Sequence, residues 1–174
     1  MSGAGETELR VRRYETQDAD RVWQLHQRAI AKMPAHENDG FWGDLRDVAG
    51  HYAARGGEFW VGLLGGETVA MGGFSPLPPY AVEIKRMRVH PDYQRRGFGR
   101  IILQALEAAA IERGYRQASL ETTVVQISAL ALYRTSGYEE VERTIKMGFE
   151  VMRMRKELIH NLHDTGLQGR VESN

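Results

Sequence analysis

The stretch VHPDYQRRGFGR, residues 89–100, holds a proline, two glycines one residue apart and three arginines. Pro91 cannot donate to a sheet ladder, so a strand should end before it and a helix should begin near Gly97. A ligand at that helix start would meet unpaired N–H groups and the positive end of the helix dipole. The glycines would let a pyrophosphate approach the backbone, and the arginines would bind its oxygens. The alternative is a solvated basic turn whose glycines only make the bend, and the stretch alone leaves both open.

The sequence on either side of this stretch predicts a bulged strand and an amphipathic helix. Val82 and Ile84 are apolar at even positions, whereas Met87 and Val89 are apolar at odd positions. A change of phase in a period-2 pattern predicts an extra residue, a β-bulge around residues 85–86. A central strand covered on both faces is the alternative. After the stretch, the apolar residues follow the stripe of a helix packed on a sheet, up to a glycine at position 114.

The rest of the chain alternates strands with helices. The pattern predicts strands at 8–15, 58–64, 67–74, 81–89, 116–122, 138–144 and 150–158, and helices at 16–30, 41–54, 97–113 and 127–137. Three prolines predict a loop at 75–80, and alternating basic and apolar residues predict an edge strand with a solvated face at 153–158. This order predicts one α/β domain with a mixed sheet and helices on both faces. Its ordered core should span about residues 8–158, with loose ends at 1–7 and 160–174.

The composition limits the classes of function. Of 174 residues, 23 are Lys or Arg and 23 are Asp or Glu, so neither nucleic acid nor a membrane surface is an expected partner. The absence of cysteine excludes disulfides, thiolate metal sites and cysteine nucleophiles. No apolar run approaches the ~20 residues that span a bilayer, and the N-terminus has no signal-peptide core, so a cytoplasmic location is expected. The six histidines show no ligand spacing, and no metal is expected.

Two blocks of the sequence carry a family pattern. QRRGFG, residues 94–99, matches [QR]-x-x-G-x-[GA], and ALALYRTSGY, residues 129–138, matches A-x-x-L-Y-x-x-x-G-[FY]. In these blocks the chain resembles the GNAT superfamily of N-acetyltransferases, and the order of its elements is similar from about residue 9 to 158. The resemblance implies a central mixed sheet of six to seven strands with a splayed, bulged fourth strand. It also implies acetyl-CoA as the acyl donor.

The resemblance further implies a donor site. In the family, main-chain amides of the first block bind the CoA pyrophosphate, and the bulged strand pairs with the pantetheine arm. Gln126 stands where many members carry an asparagine that contacts CoA, so its longer amide departs from the family pattern. Carried over to this chain, the expected donor-site residues are Met87, Arg88, Val89, Gln94, Arg95, Arg96, Gly97, Phe98, Gly99, Arg100 and Gln126.

The chemistry of amine acetylation requires a base, donors for the thioester carbonyl oxygen and a partner for the departing thiolate. Main-chain N–H groups near residues 87–89 could serve the carbonyl oxygen, and no covalent intermediate is needed. Glu83 matches the position of a glutamate that acts as the base, directly or through water, in several family members. Its alternative is a glutamate paired with a neighbouring Lys85 or Arg86, and Glu121 is a weaker candidate base.

The candidate thiolate partner is Tyr133, whose phenol matches the tyrosine of the second family block. Its alternative is an amphipathic core tyrosine. Together these residues predict transfer of an acetyl group to a primary amine by direct attack in a ternary complex. A non-catalytic acyl-CoA sensor or interaction module with the same fold is the alternative.

The acceptor is expected to be a small-molecule amine, a peptide N-terminus or a lysine. The sequence leaves open whether the chain forms a homodimer. In this fold the acceptor cleft lies opposite the CoA entrance, which assigns the segments 33–42, 75–80 and 143–149 to its wall. An aromatic lining with a few carboxylates would suit a small amine with an apolar body, and ordinary packing is the alternative. The residues in these segments are His36, Glu37, Asp39, Phe41, Trp42, Tyr80, Met147 and Phe149.

Overall fold

Seven strands of the computed structural model form one sheet. The structure describes residues 8–31 and 39–158, so the chain ends predicted to be loose, 1–7 and 160–174, lie outside the described residues. The strand order is β1-β2-β3-β4-β5-β7-β6, with β4 and β5 parallel and the other neighbours antiparallel. The predicted mixed sheet is therefore confirmed. The strands are β1 (Arg10–Arg13), β2 (Glu58–Leu64), β3 (Glu67–Leu77), β4 (Ala81–Val89), β5 (Gln117–Thr123), β6 (Glu139–Lys146) and β7 (Phe149–Glu157).

Helices cover both faces of the sheet, as predicted. One core joins the first three helices to β2 and β3 through residues such as Leu25, Val48 and Met71. A second core joins the last two helices to the sheet through residues such as Leu106 and Ile84. None of the helices in the described ranges has the length and apolar character needed to cross a membrane. The helices are α1 (Ala19–Ile30), α2 (Gly43–Arg46), α3 (Val48–His51), α4 (Phe98–Glu112) and α5 (Ile127–Thr135).

The segment 41–54 is not the single helix that its pattern predicts. It is divided into the two one-turn helices α2 and α3, flanked by short 3₁₀ turns. Asp47 interrupts it with φ −139° and ψ 70°, and its carboxylate accepts a hydrogen bond from the N–H of Gly50. An aspartate that caps a helix start favours a new helix over continuation of the old one.

Two strand predictions are wrong in detail. The segment predicted as a loop, 75–80, belongs to β3 as far as Leu77, and Pro76 pairs with Val82 of β4. Proline is tolerated there because β2 begins at Glu58, opposite Phe74, so beyond Phe74 β3 has a neighbouring strand on one side only. The segment 153–158 is not at an edge, since β7 lies between β5 and β6. Its arginines do face solvent while Met152 and Met154 are buried, but such alternation reports a solvated face and not an edge.

Candidate active site

The predicted β-bulge lies in β4. Met71 of β3 pairs with Arg88 and Gly73 pairs with Lys85, so Gly72 alone faces two residues of β4. Arg86 adopts the left-handed φ of +57°, which is unusual for a residue with a side chain. The bulge restores the alternation, so that the side chains of residues 87 and 89 pack on the same core as Val82 and Ile84.

Gly72 makes this bulge compatible with α4, and the sequence reasoning missed it. A Cβ atom at Gly72 would lie 2.5 Å from the sulfur of Met87 and 3.0 Å from a methyl carbon of Ile102. Any side chain there would push the bulge and α4 apart. The signal was the pair of glycines in MGGF, because glycine inside a strand marks a bulge or a close approach.

Beyond the bulge, β4 and β5 separate. Their parallel pairing runs from Ala81 opposite Gln117 to Ile84 opposite Leu120, and β4 then continues paired with β3. The N–H of His90 donates to the carbonyl of Val69, and antiparallel bonds alternate along a strand. The main-chain groups of Met87 and Val89 therefore point away from β3, into the opening between the splayed strands. This is the predicted splay, with main-chain donors and acceptors along one wall.

The loop before α4 ends in a helix start that is open on one side. Gly97 has φ +79°, and a Cβ atom there would meet no atom within 4 Å. The N–H of Ile101 donates to the Gly97 carbonyl, which leaves the preceding N–H groups without helical partners. Gly99 differs, since its Cβ atom would lie 3.2 Å from Leu132 of α5. The first glycine faces open space, and the second allows two helices to pack closely.

The side chains of this loop divide in the same way. Arg95, with φ +64°, and Gln94 are exposed, and the guanidinium of Arg96 lies 5.1 Å from the ring centre of Tyr93. Arg100 turns away and donates to the hydroxyls of Thr135 (2.6 Å) and Ser136 (3.1 Å). Phe98 is half-buried against the core. Two of the three predicted phosphate arginines, Arg95 and Arg96, thus remain at the open side of the loop.

Tyr133 of α5 is buried, and its ring packs against that of Tyr138 at 5.9 Å. Burial raises the pKa of its phenol to about 12, an effect that the positive charge of Arg88 partly offsets. The hydroxyl has no hydrogen-bond partner among the described residues. Gln126 lies at the start of the same helix, where its side-chain oxygen accepts a 3.3 Å hydrogen bond from Thr122.

The two candidate bases both form ion pairs. Glu83 lies 3.1 Å from Lys85, with about a third of each side chain exposed, which is the alternative that the sequence left open. Glu121 of β5 binds Lys146 at 2.6 Å. Ile84 and Leu120 point to the core on one face of the sheet, and side chains alternate along each strand. The carboxylates of Glu83 and Glu121 and the side chain of Arg88 therefore lie on the other face of the sheet. This surface is called the acceptor face below.

The acceptor face of β4 is clamped to α2 by a network that the sequence did not predict. The guanidinium of Arg86 binds Asp44 through two nitrogens, at 2.8 and 2.9 Å, and the hydroxyl of Tyr52 donates to the same carboxylate at 2.6 Å. Burial alone would raise the pKa of Asp44, but the hydrogen bonds from Arg86 and Tyr52 lower it overall. The guanidinium of Arg86 also lies over the rings of Phe41 and Trp42, at 5.2 and 4.6 Å.

Arg88 and His26 also lie beside the Trp42 ring. The guanidinium carbon of Arg88 lies 5.6 Å from the centre of the Trp42 ring, and the centre of the His26 ring lies 4.6 Å from it. Burial lowers the pKa of Arg88 to about 10, helped by the charge of Arg86, so Arg88 stays cationic at neutral pH. Burial, followed by the charges of both arginines, lowers the pKa of His26 to about 4, so His26 is neutral.

The predicted acceptor wall is only partly brought together. Phe41 and Trp42 lie at Arg86, but Tyr80 lies beside Arg116 at the opposite end of β4 from the splay. Met147 lies in the β6–β7 turn and is exposed, and Phe149 begins β7. His36 and Glu37 lie outside the described residues, as does the side chain of Asp39. Across the part of the chain that the structure describes, no group of three or more His, Cys, Asp or Glu side chains could hold a metal ion.

Comparison with known sequences identifies the family of this chain. Residues 16–138 match the model of the acetyltransferase (GNAT) family, and the chain belongs to that family. It is 26% identical to human N-acetyltransferase 8 over 126 residues, which are 69% of this chain and 54% of that protein. The chain spans about half the length of the curated relatives it matches.

Solved structures show the same fold. A GNAT-family acetyltransferase from Staphylococcus aureus Mu50 has a TM-score of 0.78 at 19% identity, covering 87% of this chain and 100% of the other. The protein yncA from Salmonella typhimurium, solved with its cofactor acetyl-CoA, has a TM-score of 0.73 at 21% identity, covering 87% and 94%. At these identities the comparison establishes the fold.

Proposed function

We propose that the protein is an acetyl-CoA-dependent N-acetyltransferase that transfers an acetyl group to a primary amine by direct attack in a ternary complex. The observation that carries this proposal is a continuous main-chain surface. It begins at the open helix start around Gly97 and continues along the free edge of β4 at Met87 and Val89. Such a surface suits a pyrophosphate followed by the amide groups of a pantetheine arm. The acetyl-CoA bound to the structurally similar yncA supports the same donor here.

In this proposal the main-chain N–H groups near Met87 and Val89 bind the thioester carbonyl oxygen as negative charge develops on it. Tyr133 donates a hydrogen bond to the departing thiolate. Its pKa of about 12 lies well above that of an ordinary thiol, about 8.5, so its hydroxyl would stabilise the thiolate without losing its proton. The collapse of the tetrahedral intermediate forms the amide and releases CoA, and no protein nucleophile is needed.

We propose Glu83 as the base that removes the amine proton, directly or through a water molecule. It lies on the acceptor face at the last paired residues of β4 and β5, next to the opening. Glu83→Gln should lower kcat/KM by roughly a hundredfold, because the amide cannot accept the proton of the amine. The measurement is a pH–rate profile beside that of Glu121→Gln. A profile for Glu83→Gln identical to the wild type would disqualify Glu83, and the same loss in Glu121→Gln alone would transfer the role.

The proposal is tested by the acetyl-CoA-dependent release of free thiol across a panel of small amines, amino acids and peptides. Turnover on any of these acceptors supports the enzyme. Binding of acetyl-CoA without turnover on the whole panel would favour a non-catalytic acyl-CoA-binding module. A chain that does not bind acetyl-CoA would contradict both. An acetyl-CoA-dependent reaction also fits the cytoplasmic location expected from the sequence.

A further inference from the structure

Four buried side-chain nitrogens without hydrogen-bond partners in the described residues lie together on the acceptor face. They are the Nε1 of Trp42, the Nε of Arg88 and both ring nitrogens of His26. The Trp42 ring contacts both of the other residues. Folded proteins leave few buried polar groups unpaired, and a cluster of them indicates a missing partner. Trp42 and Arg88 can only donate, and a neutral His26 has one donor, so the missing partner must accept hydrogen bonds.

Charge identifies the partner further. The two arginines beside Trp42 differ in charge balance, because Asp44 neutralises Arg86 while Arg88 forms no ion pair within the described residues. Among the described residues, its one hydrogen bond runs from Nη1 to the carbonyl of Met87, at 2.8 Å. Removing a cation from water without a counter-ion is costly. One uncompensated positive charge beside several donors matches one carboxylate.

The position of the cluster connects it with the reaction. The side chain of Arg88 leaves β4 between Met87 and Val89, whose main chain would hold the thioester. Its charge also reaches Tyr133, the proposed thiolate partner. An anion bound at Arg88 would therefore lie near the acetyl group and on the acceptor face, away from the pyrophosphate loop.

We propose that Arg88, Trp42 and His26 bind a carboxylate of the acetyl acceptor, so that the preferred substrate is a small amine that also carries a carboxylate. This inference rests on the proposed function and names the substrate class of the same site. The Nε of Arg88 and the Nε1 of Trp42 donate to the carboxylate oxygens, and His26 adds a third hydrogen bond. A water molecule bound to these nitrogens is the competing explanation, and it predicts no preference between charged and neutral acceptors.

The first test compares acceptors that differ only in charge. Phenylalanine, methionine and 4-aminobutanoate are each paired with their amides, and kcat/KM is measured by thiol release and expressed per unprotonated amine. We expect at least one of these acids to exceed its amide by about tenfold to a hundredfold, which corresponds to a charge-assisted hydrogen bond. Equal turnover of acids and amides would overturn the inference and leave the proposed function standing. Turnover of neither acids nor amides would overturn the inference, and the wider panel of acceptors would then decide the proposed function.

The second test removes the positive charge. Arg88→Gln should reduce the preference for acid over amide to about one, mainly through a higher KM for the acid. Arg143→Gln is the matched control, because this exposed strand arginine pairs with Glu140 and lies opposite Met152, on the other face of the sheet. A preference that survives in Arg88→Gln would contradict the assignment. If that variant does not fold, inhibition of the wild type decides: 3-phenylpropanoate should compete with the acceptor, and 3-phenylpropanamide should not.

Discussion

The two sides of the splay between β4 and β5 differ, because one is formed by main-chain groups and the other by side chains. The donor side consists of main chain: the helix start at Gly97 and the free edge of β4, with exposed arginines at its rim. The acceptor side, at the acceptor face, consists of side chains: Asp44 binds Arg86, and the Trp42 ring contacts both Arg86 and Arg88. A main-chain surface suits a donor that every reaction shares, whereas side chains set the preference for one acceptor. Substitutions should therefore affect one side and spare the other.

The largest effect is expected from Asp44→Asn. It would leave the guanidinium of Arg86 largely buried without its counter-ion, which should lower the free energy of unfolding by about 3 kcal/mol. Urea denaturation measures this, and Glu142→Gln is the control, because its pair with Arg153 is half exposed and should contribute less than about 1 kcal/mol. The affinity for acetyl-CoA should change less than about threefold. A tenfold loss of that affinity would show that the clamp also shapes the donor side.

Tyr133→Phe tests the point at which the two sides meet. Loss of the phenol should lower kcat by up to about a hundredfold, or about 2.7 kcal/mol, because the thiolate loses its hydrogen-bond donor. The dissociation constant of acetyl-CoA, measured by calorimetry, should change little. Tyr138→Phe is the control, since that ring packs against Tyr133 in the same core. Equal kcat in the wild type and Tyr133→Phe would remove the proposed role.

The acceptor side should also make folding sensitive to acid through His26. Its pKa is about 4 in the folded protein and about 6.5 when unfolded, so the unfolded state takes up the proton first as pH falls. This contribution is fully present above about pH 6.5 and is lost toward pH 4, with about 2 kcal/mol lost between pH 7.5 and 5. Denaturation of His26→Gln at both pH values should show a shallower dependence by that amount.

The contrast between the two sides also explains what the sequence could predict. The bulge, the helix start and Tyr133 were predicted because each follows from a local pattern of phase, glycine spacing or family motif. The cluster of His26, Trp42 and Arg88 was not, since its residues lie far apart in the chain and follow no periodic pattern. Asp44 and Trp42 fell within a predicted helix that Asp47 in fact divides. The sequence analysis placed Tyr80 in the acceptor wall, although Tyr80 lies at the start of β4 and the splay lies at its end. The loops could be predicted from the sequence, but the end of the sheet at which each loop lies depends on the strand register, which the sequence pattern does not give.

The smallest effect should fall on the donor side alone. Gly97→Leu and Gly114→Leu place the same side chain at the two ends of α4, both at left-handed φ (+79° and +87°) and both with no atom within 4 Å of the new Cβ. Each should lose about 1–2 kcal/mol of stability from the backbone alone. Only Gly97→Leu should also weaken acetyl-CoA binding, by about tenfold, because its side chain fills the approach to the helix N-terminus. Equal affinity in the two variants would mean that the pyrophosphate does not bind at Gly97, and the open side of that loop would need another explanation.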